Sequence, residues 1–250
     1  MIQLRPERAR RSFANLSPGE AVTGWPQRYH PARRPIGATQ AEQAVRALII
    51  DDEREPVSWQ YRCAKRAFDL AMATVLLILL APLFFMIAIC IRMDSLGTIF
   101  FRQTRLGHLG RPFRMCKFRT MTYGSSVQLQ QPTHKQRADA RVTRVGKFLR
   151  ATSLDELPQL VNVFRGEMSL VGPRPEIIEI VHEHFEPWQY ARFLVPQGMS
   201  GWWQVTGRGA KLLREHTADD LYYIYRASFG FDLMILVMTV RAVIKREGAF

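Results

Sequence analysis

The sequence predicts an α-rich α/β chain in which a broken apolar helix precedes a smaller, charged domain of helices and short strands. Three observations carry that reading. Leu70 to Ile91 runs without a charged residue and holds Pro82 near its middle. Leu157, Leu160, Val161 and Phe164 recur at i, i+3, i+4 and i+7, the period of one helix face, and Gly166 follows as a stop. Between these two stretches, from Thr98 onward, the pattern shortens to β-like pieces and turns.

Residues 1–59 are rich in Arg, Pro and Gln and have no sustained apolar period and no apolar core of a secretion signal. They are expected to form a basic, largely disordered extension, with only Val45 to Ile50 suited to a strand or helical turn. The whole chain carries Lys+Arg 35 against Asp+Glu 22, a net charge of +13, which implies an anionic partner: nucleic acid, lipid headgroups or a phosphorylated substrate. Aromatics interleaved with the basic residues, as base stacking needs, are absent from the extension, so it is expected to rest on an anionic membrane surface rather than on nucleic acid. Cys63, Cys90 and Cys116 are odd in number and far apart, which suggests neither a disulfide framework nor a metal knuckle and fits a reducing, cytosol-facing environment.

The apolar stretch falls in an expected membrane segment over residues 60–95. As a straight helix, Leu70 to Ile91 would extend roughly 33 Å, enough to cross a bilayer core. Two features favour a re-entrant helix over a crossing. Pro82 deletes a backbone bond and bends the helix into arms of roughly 15 Å, each too short to span. Cations flank both ends, Arg62, Lys65 and Arg66 before and Arg92, Arg102 and Arg105 after, which places both ends on the same, cytoplasmic side. A helix that enters, breaks at Ala81-Pro82 and returns satisfies both.

Residues 96–250 read as a cytosolic domain. Ile99-Phe100-Phe101 is expected to be a strand, Gly107 to Pro112 a turn, and Phe113 to Met121 a second strand on which Lys117 and Arg119 point the same way, an arrangement suited to phosphate. Solubility charges on an edge strand would have the same spacing. Tyr123 to Ala140 is polar, aperiodic and expected to be a loop. Arg141, Arg144, Lys147 and Arg150 then gather positive charge just before an acidic pair, Asp155 and Glu156.

Asp155 and Glu156 stand at the edge of the helix expected over Leu157 to Arg165. On these residues alone the commoner use of such acids is capping: Ser153 followed by Glu156 has capping-box spacing. Pro158 speaks against a cap at Ser153, because it would lie in the first full turn; at N1 it moves the cap toward Leu157 and leaves the acids outside, able to hold a divalent ion. Gly172-Pro173-Arg174-Pro175 follows, a stiff turn that holds one guanidinium where it can grip a phosphate. Further on, Glu176 to Tyr190 has an amphipathic helical pattern, and Val195 to Arg208 is a Gly-punctuated loop whose Trp202 and Trp203 suit a headgroup boundary or a stacked base. Phe231 to Val243 is an apolar helix of interfacial rather than spanning length.

Taken together, KRAFD at Lys65 to Asp69, the apolar run with its proline, FRQTRLGHLGRPFRMCKFRTM from Phe101 to Met121, LDELPQLVNVFRGEMSLVGPRP from Leu154 to Pro175, GMSGWWQVTGR from Gly198 to Arg208 and DLYYIYRASFGFDL from Asp220 to Leu233 resemble the bacterial sugar transferase family. These are the monotopic polyprenyl-phosphate phosphoglycosyl transferases of the exopolysaccharide-initiating type. The order of the motifs, from about Arg62 to the C-terminus, reverses the preference for capping. The resemblance implies a re-entrant membrane helix carrying a small cytosolic α/β catalytic domain with interfacial helices at the inner leaflet of the bacterial cytoplasmic membrane. It implies transfer of a sugar phosphate from a UDP-sugar to undecaprenyl phosphate, with Mg²⁺ as cofactor, and the overall likeness points to galactose or glucose.

By the same resemblance Asp155 is the nucleophile and metal ligand, and Glu156 is its partner carboxylate. Lys117, Arg119, Arg150 and Arg174 are phosphate-binding cations, and Arg208 and Asp220 serve the nucleotide and the order of the site. The chain departs from the family at Ala81-Pro82, where Ser-Pro is frequent, at Arg226, where Asn is frequent, and at Trp203, where Ala is frequent. The competing readings are a membrane-tethered basic nucleic-acid-binding protein and a scaffold for other glycan enzymes.

Overall fold

The computed structural model describes residues 57–122, 139–206 and 216–245. The extension expected before Trp59 lies almost wholly outside them, as do Arg208 and most of the loop expected from Tyr123 to Ala140. The described residues open with helix α1, Trp59–Leu79, whose first turn is capped by the Ser58 hydroxyl accepting from the Tyr61 N–H, and helix α2, Ala81–Asp94. The two meet at Leu80 with a bend of 60°. Pro82 sits in the first turn of α2, where an N–H has no partner within the helix in any case, and its ring forbids α1 from running on through it. The break is therefore one residue earlier than expected. No single described helix is long and apolar enough to cross a membrane, whereas the bent pair together has the length and composition to do so.

The first half of α1 is anchored to protein by its charged residues. Lys65 donates to Asp232 at 2.8 Å. Arg66 donates to the carbonyls of Val163 and Phe164 at 2.6 and 2.9 Å. Asp69 accepts from the Ser169 hydroxyl at 2.7 Å and the Leu170 N–H at 3.1 Å. Lys65 and Arg66 are thus engaged inside the protein, which removes them from the flanking cations on which the sequence argument for a re-entrant helix drew.

Strands β1, Phe100–Leu106, and β2, Pro112–Phe118, form an antiparallel hairpin in the register Phe101↔Lys117, closed by a single 3-10 turn at His108–Gly110. Phe113, Met115 and Phe118 are buried, while Arg114 faces outward. The first strand runs further than the expected Ile99 to Phe101, and the second stops at Phe118 rather than at Met121. Strand β3, Ser169–Val171, comes next, and the two-residue strand β4, Glu176–Ile177, adds to the free side of β1 through Arg105↔Ile177. β3 pairs in parallel with β5, Gly198–Ser200, in a separate two-stranded sheet.

Helix α3, Arg144–Thr152, is capped by the Thr143 hydroxyl, which accepts from the Gly146 N–H at 3.0 Å. It ends at Ser153, whose φ of 57° is left-handed. A 3-10 turn, Leu154–Glu156, follows, and α4, Gln159–Arg165, begins after Pro158. Ser153 makes no side-chain cap to this turn, so the capping-box alternative is not realised. Gly166 ends α4 at φ 81°. Two expectations are corrected further on. The helix expected over Glu176 to Tyr190 divides into β4, helix α5 (Ile178–His184) and a 3-10 segment, Pro187–Leu194. The loop expected over Val195 to Arg208 is ordered through Thr206 as β5 and helix α6, Trp202–Thr206.

Helices α7, His216–Arg226, and α8, Phe229–Ile244, complete the described fold. The main core joins α1, α4, β3, α7 and α8 through Ala73, Val163, Leu170, Tyr223 and Ile235. A second cluster, Ile87, Ile91, Phe118 and Leu149, ties α2 to β2 and α3. α8 is longer than the expected Phe231 to Val243 and leaves Leu233, Val237, Val240 and Ile244 exposed along one stripe.

Candidate active site

Both acids occupy the 3-10 turn between α3 and α4, displayed at the junction of a helix end, a strand end and a stiff loop. β2 carries Lys117 to this place. Among the described residues its outer edge has no neighbouring strand, and Asn162 of α4 takes that role: its carbonyl oxygen accepts from the Cys116 N–H at 3.0 Å and its amide donates to the Arg114 carbonyl at 2.8 Å. The same amide donates to Glu167 at 2.6 Å, so Asn162 locks α4 and β2 together.

With the strand so fixed, Lys117 donates to Glu156 Oε1 at 2.7 Å, and Arg174 reaches the same oxygen at 3.1 Å. Burial alone would raise the Glu156 carboxyl, but Lys117 and then Arg174 outweigh it and hold the group well below the usual carboxylate range. Burial lowers Lys117, with Glu156 opposing the change, while Glu156 leads the effects that raise Arg174. Arg150 donates to the Thr120 hydroxyl at 2.9 Å; burial lowers its pKa, and the charge of Asp155 is the first to oppose that.

Arg174 is positioned through its backbone as well as its side chain. Arg192, almost fully buried, donates to the Arg174 carbonyl at 2.8 Å, and its Nη2 also lies 2.8 Å from Asp220 Oδ2. Asp220 is pushed up to about 7 by burial, against the pull of Arg192, with Glu176 and Asp219 adding to the rise. Arg105 of β1 donates to the Pro175 carbonyl at 2.9 Å and is lowered to about 10 by burial. The Gly172-to-Pro175 loop is thus gripped from both sides, and Gly172 itself lies so close to the backbone of Pro196 and Gly198 that a side chain there would collide.

Among the residues singled out in the sequence, Asp155, Glu156, Lys117, Arg150 and Arg174 are brought to one place, and Asp220 is joined to them through Arg192. Arg119 is not. β2 ends before it, and its guanidinium turns to the end of α2, donating to the Ser95 and Leu96 carbonyls at 2.7 and 2.6 Å. The expected common face of Lys117 and Arg119 fails because the strand stops between them. Arg192 and Arg105 were not picked out as site residues: the first lies in a segment with no strand or helix period, and the second was counted only among the cations that follow the apolar run.

Residues 60–246 match the family described as bacterial sugar transferase. The chain belongs to that family. It is 41% identical over 209 residues to an undecaprenyl-phosphate glucose phosphotransferase of Komagataeibacter xylinus, covering 79% of this chain and 39% of the relative. It is 37% identical over 220 residues to the exopolysaccharide production protein ExoY of Sinorhizobium fredii, covering 83% and 97%. It is 40% identical over 193 residues to the UDP-glucose:undecaprenyl-phosphate glucose-1-phosphate transferase of Escherichia coli, covering 74% and 41%. The chain therefore spans about two fifths of the first and third relatives and nearly all of the second. As a bacterial sugar transferase it is a transferase of the phosphoglycosyl type.

Among the described residues no group of three or more His, Cys, Asp or Glu converges as a metal cage. Magnesium bound with nucleotide phosphates needs only one or two protein carboxylates, and with Glu156 taken by two cations, Asp155 is the residue of this sugar transferase site suited to that role. Trp202, expected with Trp203 at a headgroup boundary or on a stacked base, packs against Tyr222 and Phe231 with ring centroids 5.5 and 5.2 Å away.

Proposed function

We infer that the chain transfers a sugar 1-phosphate, that of glucose or galactose, from a UDP-sugar to undecaprenyl phosphate and releases UMP. This is the first membrane step of exopolysaccharide or glycoconjugate assembly, carried out at the inner face of the cytoplasmic membrane with the bent helix pair re-entering the same leaflet. The observation that carries the reading is the seating of Glu156 by Lys117 and Arg174 directly beside Asp155, in a chain that belongs to the bacterial sugar transferases. Relatives named for glucose and for galactose transfer support the choice of sugar.

The carboxylate of Asp155 attacks the sugar-bearing phosphorus of the donor. The bond from that phosphorus to the bridging oxygen breaks, and UMP leaves with the electron pair. A phosphosugar-aspartyl ester remains. An oxygen of the lipid phosphate then attacks the same phosphorus, and Asp155 departs as a carboxylate. Both displacements occur at phosphorus, so the anomeric carbon keeps its configuration. An anionic nucleophile approaches an anionic donor only where cations offset the repulsion, and Lys117, Arg150 and Arg174 supply fixed ones. Because Lys117 and Arg174 neutralise Glu156, the acid next to the nucleophile adds little repulsion of its own. When bound, magnesium would be held by Asp155 with the donor phosphates and would offset their charge.

The deciding experiment incubates the protein with UDP-glucose or UDP-galactose alone and Mg²⁺, and seeks the mass of one sugar phosphate on Asp155. Asp155→Asn is expected to lack both adduct and turnover while staying with the membrane fraction. Sustained UMP release by Asp155→Asn would overturn the reading.

A further inference from the structure

Beside the acids lies a cavity of about 380 Å³ between α2 and α3. Leu83, Met86 and Cys90 of α2 form one wall, Val145 and Phe148 of α3 the other, and Leu154 closes the end. The lining is apolar, and its open side is bordered by exposed Met86, Cys90 and Phe148. Three features specify what fits it. Leu154 immediately precedes Asp155, so the closed end abuts the acids in sequence and in space. The α2 wall belongs to the bent apolar pair, whose neighbouring Phe85, Ile89 and Met93 are also exposed, so the open side continues an apolar surface. The α3 wall carries Arg144, which also borders the cavity, and Arg150, which feels the charge of Asp155. An apolar trough with Arg144 on its border at the start of α3 and Arg150 in the last turn of α3, toward the acids, matches an amphiphile with a long hydrocarbon chain and a phosphate.

We propose that this groove seats the first isoprene units of the polyprenyl phosphate acceptor, its phosphate directed toward Asp155 and Arg150 and the rest of its chain leaving past α2. The inference rests on the acceptor named in the function above and adds where that acceptor lies. The volume is that of a small-ligand cleft, about 300–1,000 Å³, so the groove holds only the head of so long a chain. Entry along α2 brings the lipid phosphate to the acids, where it takes the position that UMP vacates, in line with the bond from Asp155 to phosphorus.

Cys90 provides a direct reporter. In full-length protein carrying Cys63→Ser and Cys116→Ser, reconstituted in phosphatidylcholine nanodiscs, alkylation of Cys90 by N-ethylmaleimide is expected to slow about tenfold with undecaprenyl phosphate and to be unaffected by an equal amount of phosphatidylglycerol. Met86→Trp, at an exposed wall position, is expected to raise the KM for undecaprenyl phosphate about tenfold or more, as loss of buried hydrocarbon contact dictates. The burst of UMP released with donor alone should stay unchanged. Equal protection by phosphatidylglycerol would make the groove a seat for ordinary bilayer lipid and would overturn the proposal, as would an unchanged KM in a folded Met86→Trp protein. Cys90 protection needs no turnover. A missing donor adduct therefore counts against the transfer mechanism, whereas a normal adduct with an indifferent Cys90 counts against the groove alone.

Discussion

Lys117 donates to Glu156 Oε1 at 2.7 Å, reaching from the end of β2 to the turn between α3 and α4. Arg174 meets the same oxygen at 3.1 Å from the Gly172-to-Pro175 loop. A carboxylate held by two cations is a joint between three elements, and the residue before it in the chain is the proposed nucleophile. Glu156 thus sets where Asp155 stands without itself attacking.

Glu156→Gln removes the charge and keeps the shape. It leaves Lys117 and Arg174 facing each other without their shared anion, and the strand end and loop drift apart. Displacements of about 1 Å at such a site reduce turnover on the order of 100-fold, so a loss of that size is expected in kcat for UMP release. The pair is only partly exposed, and the stability loss should be about 2 kcal/mol, below the roughly 3–5 kcal/mol of a fully buried pair. A thermal melt beside the rate assay checks both. The Glu156 carboxyl is lowered, so its contribution is complete above the ordinary value of 4.5 and disappears only as pH falls through the depressed one. No Glu156-linked change is expected between about pH 5 and 9.

Asp220 behaves in the opposite sense. Its carboxyl is raised to about 7, so between the ordinary 3.8 and that value the folded state holds a proton that the unfolded chain has released. The stability linked to Asp220 is therefore greatest in acid and falls as pH climbs to about 7. The ion pair with Arg192 forms as pH rises through about 7, and through the Arg174 carbonyl it fixes the loop. Turnover should rise with pH around 7 while stability declines slightly. Asp220→Asn is expected to flatten both slopes and leave turnover at its acid-side level. Arg192→Lys, which keeps charge but loses the Nη2 that meets both the Arg174 carbonyl and Asp220, should lower kcat more than it raises KM. A residue that only supported the fold would leave the pH profile where it was.

Gly146 tests how tightly α3 is set. A Cβ there would run into the Thr120 carbonyl, backbone that has nowhere to move. Gly146→Ala should destabilise by about 1–3 kcal/mol through overpacking and lift Arg150 from Thr120, lowering turnover as well. Gly230 in α8 is the contrast: nothing lies near its missing Cβ, and Gly230→Ala should stabilise by about 0.5–1 kcal/mol through helix propensity. Urea denaturation of the two variants separates the effects.

These relationships also mark what was legible beforehand. Local chemistry announced itself: the proline break, the Gly166 stop, the hairpin turn and the acidic pair are all written in short stretches, because fixed φ angles and helical periods act within a few residues. Long-range placement was not legible. Lys117 and Arg119 are equivalent in spacing, and only the end of β2 at Phe118 sends one to Glu156 and the other to the end of α2. Arg192 lies in a segment without period, and its partners Asp220 and Arg174 are distant in sequence. The acids of the 3-10 turn looked like helix caps because Ser153 has capping spacing; its left-handed backbone, which no periodicity reports, places it at the end of α3 instead.

The anchoring of α1 supplies the last prediction. Asp232 of α8 is buried and accepts from Lys65 at 2.8 Å, Tyr61 at 2.7 Å and Tyr223 at 2.7 Å. Lys65 is buried too, so neither charge can turn to water when the other is lost. Asp232→Asn should cost about 3–5 kcal/mol, the penalty of a stranded buried cation. Adding Lys65→Met removes that cation and should recover a good part of the loss, leaving the two hydroxyls as the remaining deficit. Equal destabilisation by the single and the double variant would show that the Lys65–Asp232 charge pair does not hold α1 to α8. Because Asp69, one turn along α1, grips β3 just before the loop of Arg174, loosening α1 should also reach the acids. The prediction is that Asp232→Asn lowers turnover even at temperatures where its melt shows it fully folded, and that Lys65→Met restores turnover and stability together.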